Sequence, residues 1–96
     1  MEKAVSITVT GRVQQVGYRH YTRLAAQDYD IKGRMENKAD GTVYIEAQGE
    51  EKNLQEFIDF CRRGPVWARV DNIDINPIEV NEDYTSFESY NFNTVL

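Results

Sequence analysis

Val5, Ile7 and Val9 alternate with Ser6, Thr8 and Thr10, a period of two that predicts a half-buried strand. Gly11 is expected to end it, with a loop running on through Gly17. From about Arg19 to Tyr29 the spacing becomes helical, with Tyr21, Leu24 and Ala25 assigned to one face and Ala26 adding propensity. Ile31 to Asn37 reads as a second, short strand. Asp40-Gly41 is a strong hairpin signal, and Val43, Ile45 and Ala47, alternating with Tyr44 and Glu46, make the third strand. Leu54, Phe57, Ile58 and Cys61 repeat at helical spacing and predict a second helix with one apolar stripe. Glu50 and Glu51 suit its first turn, Arg62 and Arg63 its last, and Gly64-Pro65 stops it.

A fourth strand region carries Val70, Ile73, Ile75, Ile78 and Val80, but its phase slips between Val70 and Ile73 and again past Pro77. Proline has no N–H to give a ladder, so Pro77 fits an edge strand or a bulge. Tyr90 and Phe92 alternate in the segment from Phe87 to Leu96 and suggest a short fifth strand. The order of the first six elements is β-α-β-β-α-β. It predicts an α+β, ferredoxin-like sandwich: an antiparallel sheet with two helices on one face and the first strand inside the sheet.

Length adds one constraint. A chain of 96 residues without repeats or linkers reads as a single domain over 1–96. Its 41% apolar content suffices for one core and excludes a disordered chain. No apolar run approaches the ~18 residues of a membrane span, and none follows Met1-Glu2-Lys3 as in a signal peptide. Neither a membrane nor export is expected. One cysteine forms no internal disulfide, which favours a cytoplasmic address. With a single histidine it leaves no imidazole–thiolate metal cluster. No long exposed apolar stripe asks for a partner, so a monomer is expected.

Charge separates partner classes. The net charge is −5, which disfavours nucleic acid, whose binding rests on neutralising phosphates. An RNA-recognition domain shares the element order but needs aromatics on its middle strands. Here the first strand exposes Ser6, Thr8 and Thr10, and the third offers only Tyr44. Residues 1–38 nonetheless carry seven basic and four acidic side chains, which suits a small anion.

The candidate chemistry lies in Gly11-Arg12-Val13-Gln14-Gln15-Val16-Gly17-Tyr18-Arg19, a loop joining a strand to a helix start. Successive backbone N–H groups in such a turn form an anion nest, and the helix start adds its own unpaired N–H groups. Arg19 can give two parallel hydrogen bonds to a phosphate or carboxylate. Spacing alone leaves a second reading open, in which the glycines only turn the chain and Arg19 is solvated.

The residues carry more than spacing. This loop closely resembles the signature of the acylphosphatase family. Lys32-Gly33-Arg34-Met35-Glu36-Asn37 is similar to the family strand that ends in a functional Asn. Asp40-Gly41-Thr42-Val43 resembles the hairpin after it, and Gly64-Pro65-Val66-Trp67-Ala68-Arg69-Val70 its Gly-Pro-x-x-Ala-x-Val segment. The resemblance runs over roughly residues 5 to 80. It implies hydrolysis of small-molecule acyl phosphates to a carboxylate and phosphate, with no metal and no cofactor. It also implies that Val13, Gln14, Gln15, Val16, Gly17, Tyr18 and Arg19 bind phosphate, with Arg19 and Asn37 catalytic and Asn37 positioning the attacking water. Three positions depart from the family pattern: Gln15 for Gly, Arg34 for Trp and Glu36 for Arg. Strand neighbours face opposite ways, so Glu36 is expected to point away from Asn37. The alternative function on the same fold is a non-catalytic phosphate-binding regulatory module.

Other reactive residues read as structural. His20 projects about 100° around the helix from Arg19 and is expected at the surface. Cys61 lies on the apolar stripe and belongs to the core. Tyr18 is expected to seal the core beneath the loop.

Overall fold

The computed structural model describes residues 1–14 and 17–91; Gln15, Val16 and residues 92–96 lie outside the described residues. Strand β1 spans Glu2–Arg12, α1 Tyr18–Asp28, β2 Lys32–Asn37, β3 Val43–Glu50, α2 Glu51–Arg63, β4 Arg69–Ile78 and β5 Phe87–Asn91. One sheet runs in the order β4-β1-β3-β2-β5, with both helices packed on the same face. Ile7, Val9, Met35, Val43, Ile45 and Ala47 point to that face and are buried. From α2, Leu54, Phe57, Ile58 and Cys61 meet them, the stripe expected from spacing.

The sheet is mixed. β1 pairs antiparallel with β3 and β4, and β2 with β3, but β5 joins β2 in parallel, Gly33 facing Phe87 and Asn37 facing Asn91. The direction follows from where β4 ends. Ile78 faces Ala4, Ala4 faces Gln48 and Gln48 faces Lys32, so β4 stops at the end of the sheet where β2 begins. The chain then crosses to the far edge and enters β5 heading the same way as β2. Crossing, it straps the open face. Gln48 and Asn81 exchange two hydrogen bonds of 2.9 Å, and the Tyr84 hydroxyl donates to Glu46.

Two expectations are corrected. β1 does not end at Gly11 but continues to Arg12, and the register against β4 shifts at this point. Thr10 faces Asn72 and Gly11 faces Val70, which leaves Asp71 as the extra residue of a bulge. The bulge returns Val70 and Ile73 to the core side, and this is the origin of the phase slip. Gly11 has φ 140°, and a Cβ there would run into the Arg69 carbonyl. Pro77 sits on the edge strand opposite Val5.

The buried face of α1 is also not the one expected. It is Tyr18, Thr22, Ala25 and Ala26, while Tyr21 and Leu24 are 44% and 39% exposed. The helix begins one residue early and is anchored by the Tyr18 ring, whose hydroxyl donates to the Cys61 carbonyl at 2.8 Å. A polar Thr22 in the stripe hides this face from an apolar count.

Candidate active site

The start of α1 is open to an anion. Gly17 stands at the N-cap in the left-handed region (φ 82°, ψ 2°), no side chain caps the helix, and its first turn holds no acidic residue. A helix's first N–H groups have no acceptor within the helix. The strained backbone, not space, is what asks for glycine. A Cβ at Gly17 would meet nothing nearer than the Tyr21 ring at 3.4 Å, yet positive φ disfavours a side chain.

Arg19 lies in that first turn, and its Nη1 donates to the Ser89 hydroxyl on β5 at 2.8 Å. Among the described residues no carboxylate pairs with it. Ser89 faces Met35 on β2, so the guanidinium rests on the strand beside the one that ends in Asn37.

Asn37 closes β2 on the helix-covered face, in phase with Gly33 and Met35. It is 4% exposed, and its side-chain carbonyl Oδ1 is buried with no hydrogen-bond partner among the described residues. The hairpin after it is tied tightly. Lys38 N–H donates to Thr42 O at 2.8 Å, and Asp40 Oδ1 accepts from the Thr42 N–H and hydroxyl. Gly41 takes the positive φ of 93° that the Asp-Gly turn asks for.

Gln14 joins the loop to this hairpin. Its Nε2 donates to Lys38 O at 2.7 Å and to Thr42 O at 3.0 Å, on either side of the turn that follows Asn37. This side-chain clamp is a role that the loop's sequence pattern does not signal. Val13 and Tyr18 anchor the loop's two ends in the core, 1% and 0% exposed. Both therefore offer the site their backbone rather than their side chains. Gln15 and Val16, assigned to the same loop, lie outside the described residues.

The remaining candidates stay away from the site. His20 is exposed and meets the edge of Tyr21 at 5.1 Å. Cys61 is fully buried, and burial pushes its thiol up to about 12, which leaves it no nucleophile. Glu36 faces the open side of the sheet, opposite to Asn37, as alternation requires. It accepts from Arg34 at 2.8 Å and from Lys38 at 3.2 Å. The Arg34 hydrogen bond, aided by Lys38, holds its carboxyl below the usual range. The residues that replace the family's Trp and Arg thus pair with each other, away from the site. A surface groove of about 690 Å³ runs between α1 and β5 and meets the site only at Ser89. A nest of N–H groups can hold an anion without a deep cavity.

Known proteins bear on this arrangement. The family model described as acylphosphatase matches residues 5–89. An acylphosphatase of Archaeoglobus fulgidus is 44% identical over 85 residues, covering 88% of this chain and 94% of its own length. One from Lactobacillus gasseri is 44% identical over 86 residues, with 88% and 94% covered. The crystal structure of acylphosphatase from Bacillus subtilis matches with a TM-score of 0.86 at 31% identity, over 93% of this chain and 98% of that one.

Proposed function

This chain belongs to the acylphosphatase family and hydrolyses acyl phosphates, and we propose how its residues divide that work. The backbone N–H groups of residues 13–19 and the Arg19 guanidinium hold the phosphate. Asn37 orients a water in line with the bond to be broken. The water oxygen bonds to phosphorus as the P–O bond to the acyl group breaks, the carboxylate leaves with that electron pair, and the water's proton passes to a phosphate oxygen. A carboxylate leaves readily, so the protein's task is positioning and charge stabilisation. An Asn amide can accept from water and donate to an oxygen at once, but it is no base at neutral pH.

The observation that carries this reading is the buried Oδ1 of Asn37, without a partner among the described residues, at the end of the strand beside the one on which Arg19 rests. A buried carbonyl left without a donor costs about 1–3 kcal/mol. A water donating to it removes that cost and is held in place by doing so. The reading extends to a single domain over 1–96 that works as a cytoplasmic monomer without metal or cofactor. A single hydrophobic core and a lone, buried cysteine support it.

Hydrolysis of acetyl phosphate in the presence of a chelator tests the assignment, with Arg19→Ala and Asn37→Ala as controls. Turnover is expected to survive the chelator and to fall steeply in both variants, about a hundredfold or more. Wild-type turnover by Arg19→Ala would remove Arg19 from the site, and a single peak at dimer mass in gel filtration would remove the monomer.

A further inference from the structure

β5 brings one polar side chain to the catalytic end of the sheet that the reaction, as described so far, does not use. Phe87 is buried, with its ring packed edge-on against Phe57 at 5.7 Å between centroids, and this pins the strand to the core. Two residues on, alternation returns Ser89 to the same, helix-covered face, beside the first turn of α1. There its hydroxyl accepts the 2.8 Å hydrogen bond from Arg19. Arginine side chains are long and rotamer-rich, and one that must meet a phosphate in a fixed orientation gains from being held beforehand.

The chemistry of the acceptor matters as much as its position. The chain is acidic overall, and among the described residues Lys3 donates to Glu51, Lys38 to Glu36 and Arg69 to Asp71. Arg19 donates instead to a neutral hydroxyl. A carboxylate in that place would hold the guanidinium equally well but would offset its charge and repel the incoming phosphate. A hydroxyl fixes the side chain and leaves the full positive charge to the ligand.

We propose that Ser89 is a positioning residue for the phosphate-binding arginine: its hydroxyl holds Arg19 in the ligand-ready orientation without neutralising it. The inference rests on Arg19 binding the phosphate, as proposed above. It makes the fifth strand, remote in sequence from the loop, part of the machinery.

The test compares wild type, Ser89→Ala, Ser89→Thr, Ser89→Asp and Arg19→Ala, reading KM and kcat for acetyl phosphate, inhibition by inorganic phosphate, and the melting temperature. Loss of a hydrogen bond to a charged group predicts that Ser89→Ala raises KM and the phosphate inhibition constant about tenfold. Ser89→Thr, which keeps the hydroxyl, is expected to restore both. Ser89→Asp is expected to bind phosphate more weakly than Ser89→Ala while melting no lower. Adding Ser89→Ala to Arg19→Ala is expected to change phosphate binding no further. A lowered melting temperature in Ser89→Ala with unchanged KM and phosphate inhibition would make the residue merely structural and overturn the proposal. So would phosphate binding by Ser89→Asp as tight as wild type. Wild-type phosphate binding by Arg19→Ala would instead strike the underlying assignment of Arg19, and the two failures are thereby distinguished.

Discussion

Helix α1 begins at Gly17 with no side-chain cap and no carboxylate in its first turn, whereas α2 begins at Glu50 with Glu51 as its first residue. The two starts lie at opposite ends of the sheet, one after the end of β1 and the other beside its beginning. At α2 the protein's own carboxylates complement the helix's positive end. They are answered in turn by the chain's amino terminus, 2.8 Å from Glu50, and by Lys3, 3.2 Å from Glu51. At α1 no carboxylate among the described residues takes that place, and Arg19 adds a further positive charge that donates to a neutral serine. A helix dipole left without an internal counter-charge is a position where an external anion is worth most. The contrast supports the proposal that the start of α1 receives the phosphate in a chain that is acidic overall.

The contrast can be broken most severely at Arg19. Arg19→Ala is expected to lower kcat/KM for acetyl phosphate about a thousandfold, in line with the loss of an arginine that stabilises phosphoryl transfer. A loss of less than tenfold would leave the loop and not the arginine as the main ligand. Asn37→Ala removes water positioning and is expected to cost about a hundredfold, mostly in kcat. An effect confined to KM would assign Asn37 to substrate binding instead. Placing a carboxylate where α1 lacks one sharpens the comparison. His20→Glu, on an exposed position of the first turn, is expected to raise the phosphate inhibition constant about fivefold. The same binding in high salt should differ less from wild type, because the charge is exposed and screened.

Gln14→Ala frees the loop from the hairpin that follows Asn37 and is expected to reduce kcat/KM about threefold, the scale of one or two neutral hydrogen bonds. The smallest effect belongs to the other helix start. Glu51→Gln is expected to lower stability by about 0.5 kcal/mol and to leave the kinetics unchanged, as its carboxylate serves the dipole and the exposed Lys3 pair. Its denaturant midpoint should therefore shift slightly at constant kcat and KM. A kinetic effect there would dissolve the distinction between the two starts.

Much of this architecture is legible in the residues themselves. The alternation from Val5 to Val9 and the stripe Leu54, Phe57, Ile58, Cys61 declare β1 and α2, because each is apolar on one face and little else. The loop from Gly11 to Arg19 and the strand ending at Asn37 stand out through their resemblance to a family signature, whereas spacing alone leaves a solvated Arg19 open. What escaped the reading shares a cause: each feature depends on a partner distant in the chain. Gly11 is not a strand end but the residue opposite a bulge at Asp71, and only the pairing with β4 reveals that. The buried face of α1 is set by Tyr18 reaching the Cys61 carbonyl, 43 residues away. β5 runs parallel because β4 ends at one end of the sheet, which its own alternation cannot encode. Ser89 was passed over for the same reason, since a serine in a short strand carries no signal until Arg19 is seen beside it.

The central claim, that the start of α1 and not that of α2 receives the phosphate, is tested most directly by titrating the protein with inorganic phosphate and following its backbone amide resonances. The account predicts saturable shifts at Gly17, Tyr18, Arg19 and His20 that vanish in Arg19→Ala, with Glu51, Lys52 and Asn53 unmoved. Equal shifts at both helix starts, or shifts at α1 that persist without Arg19, would contradict it.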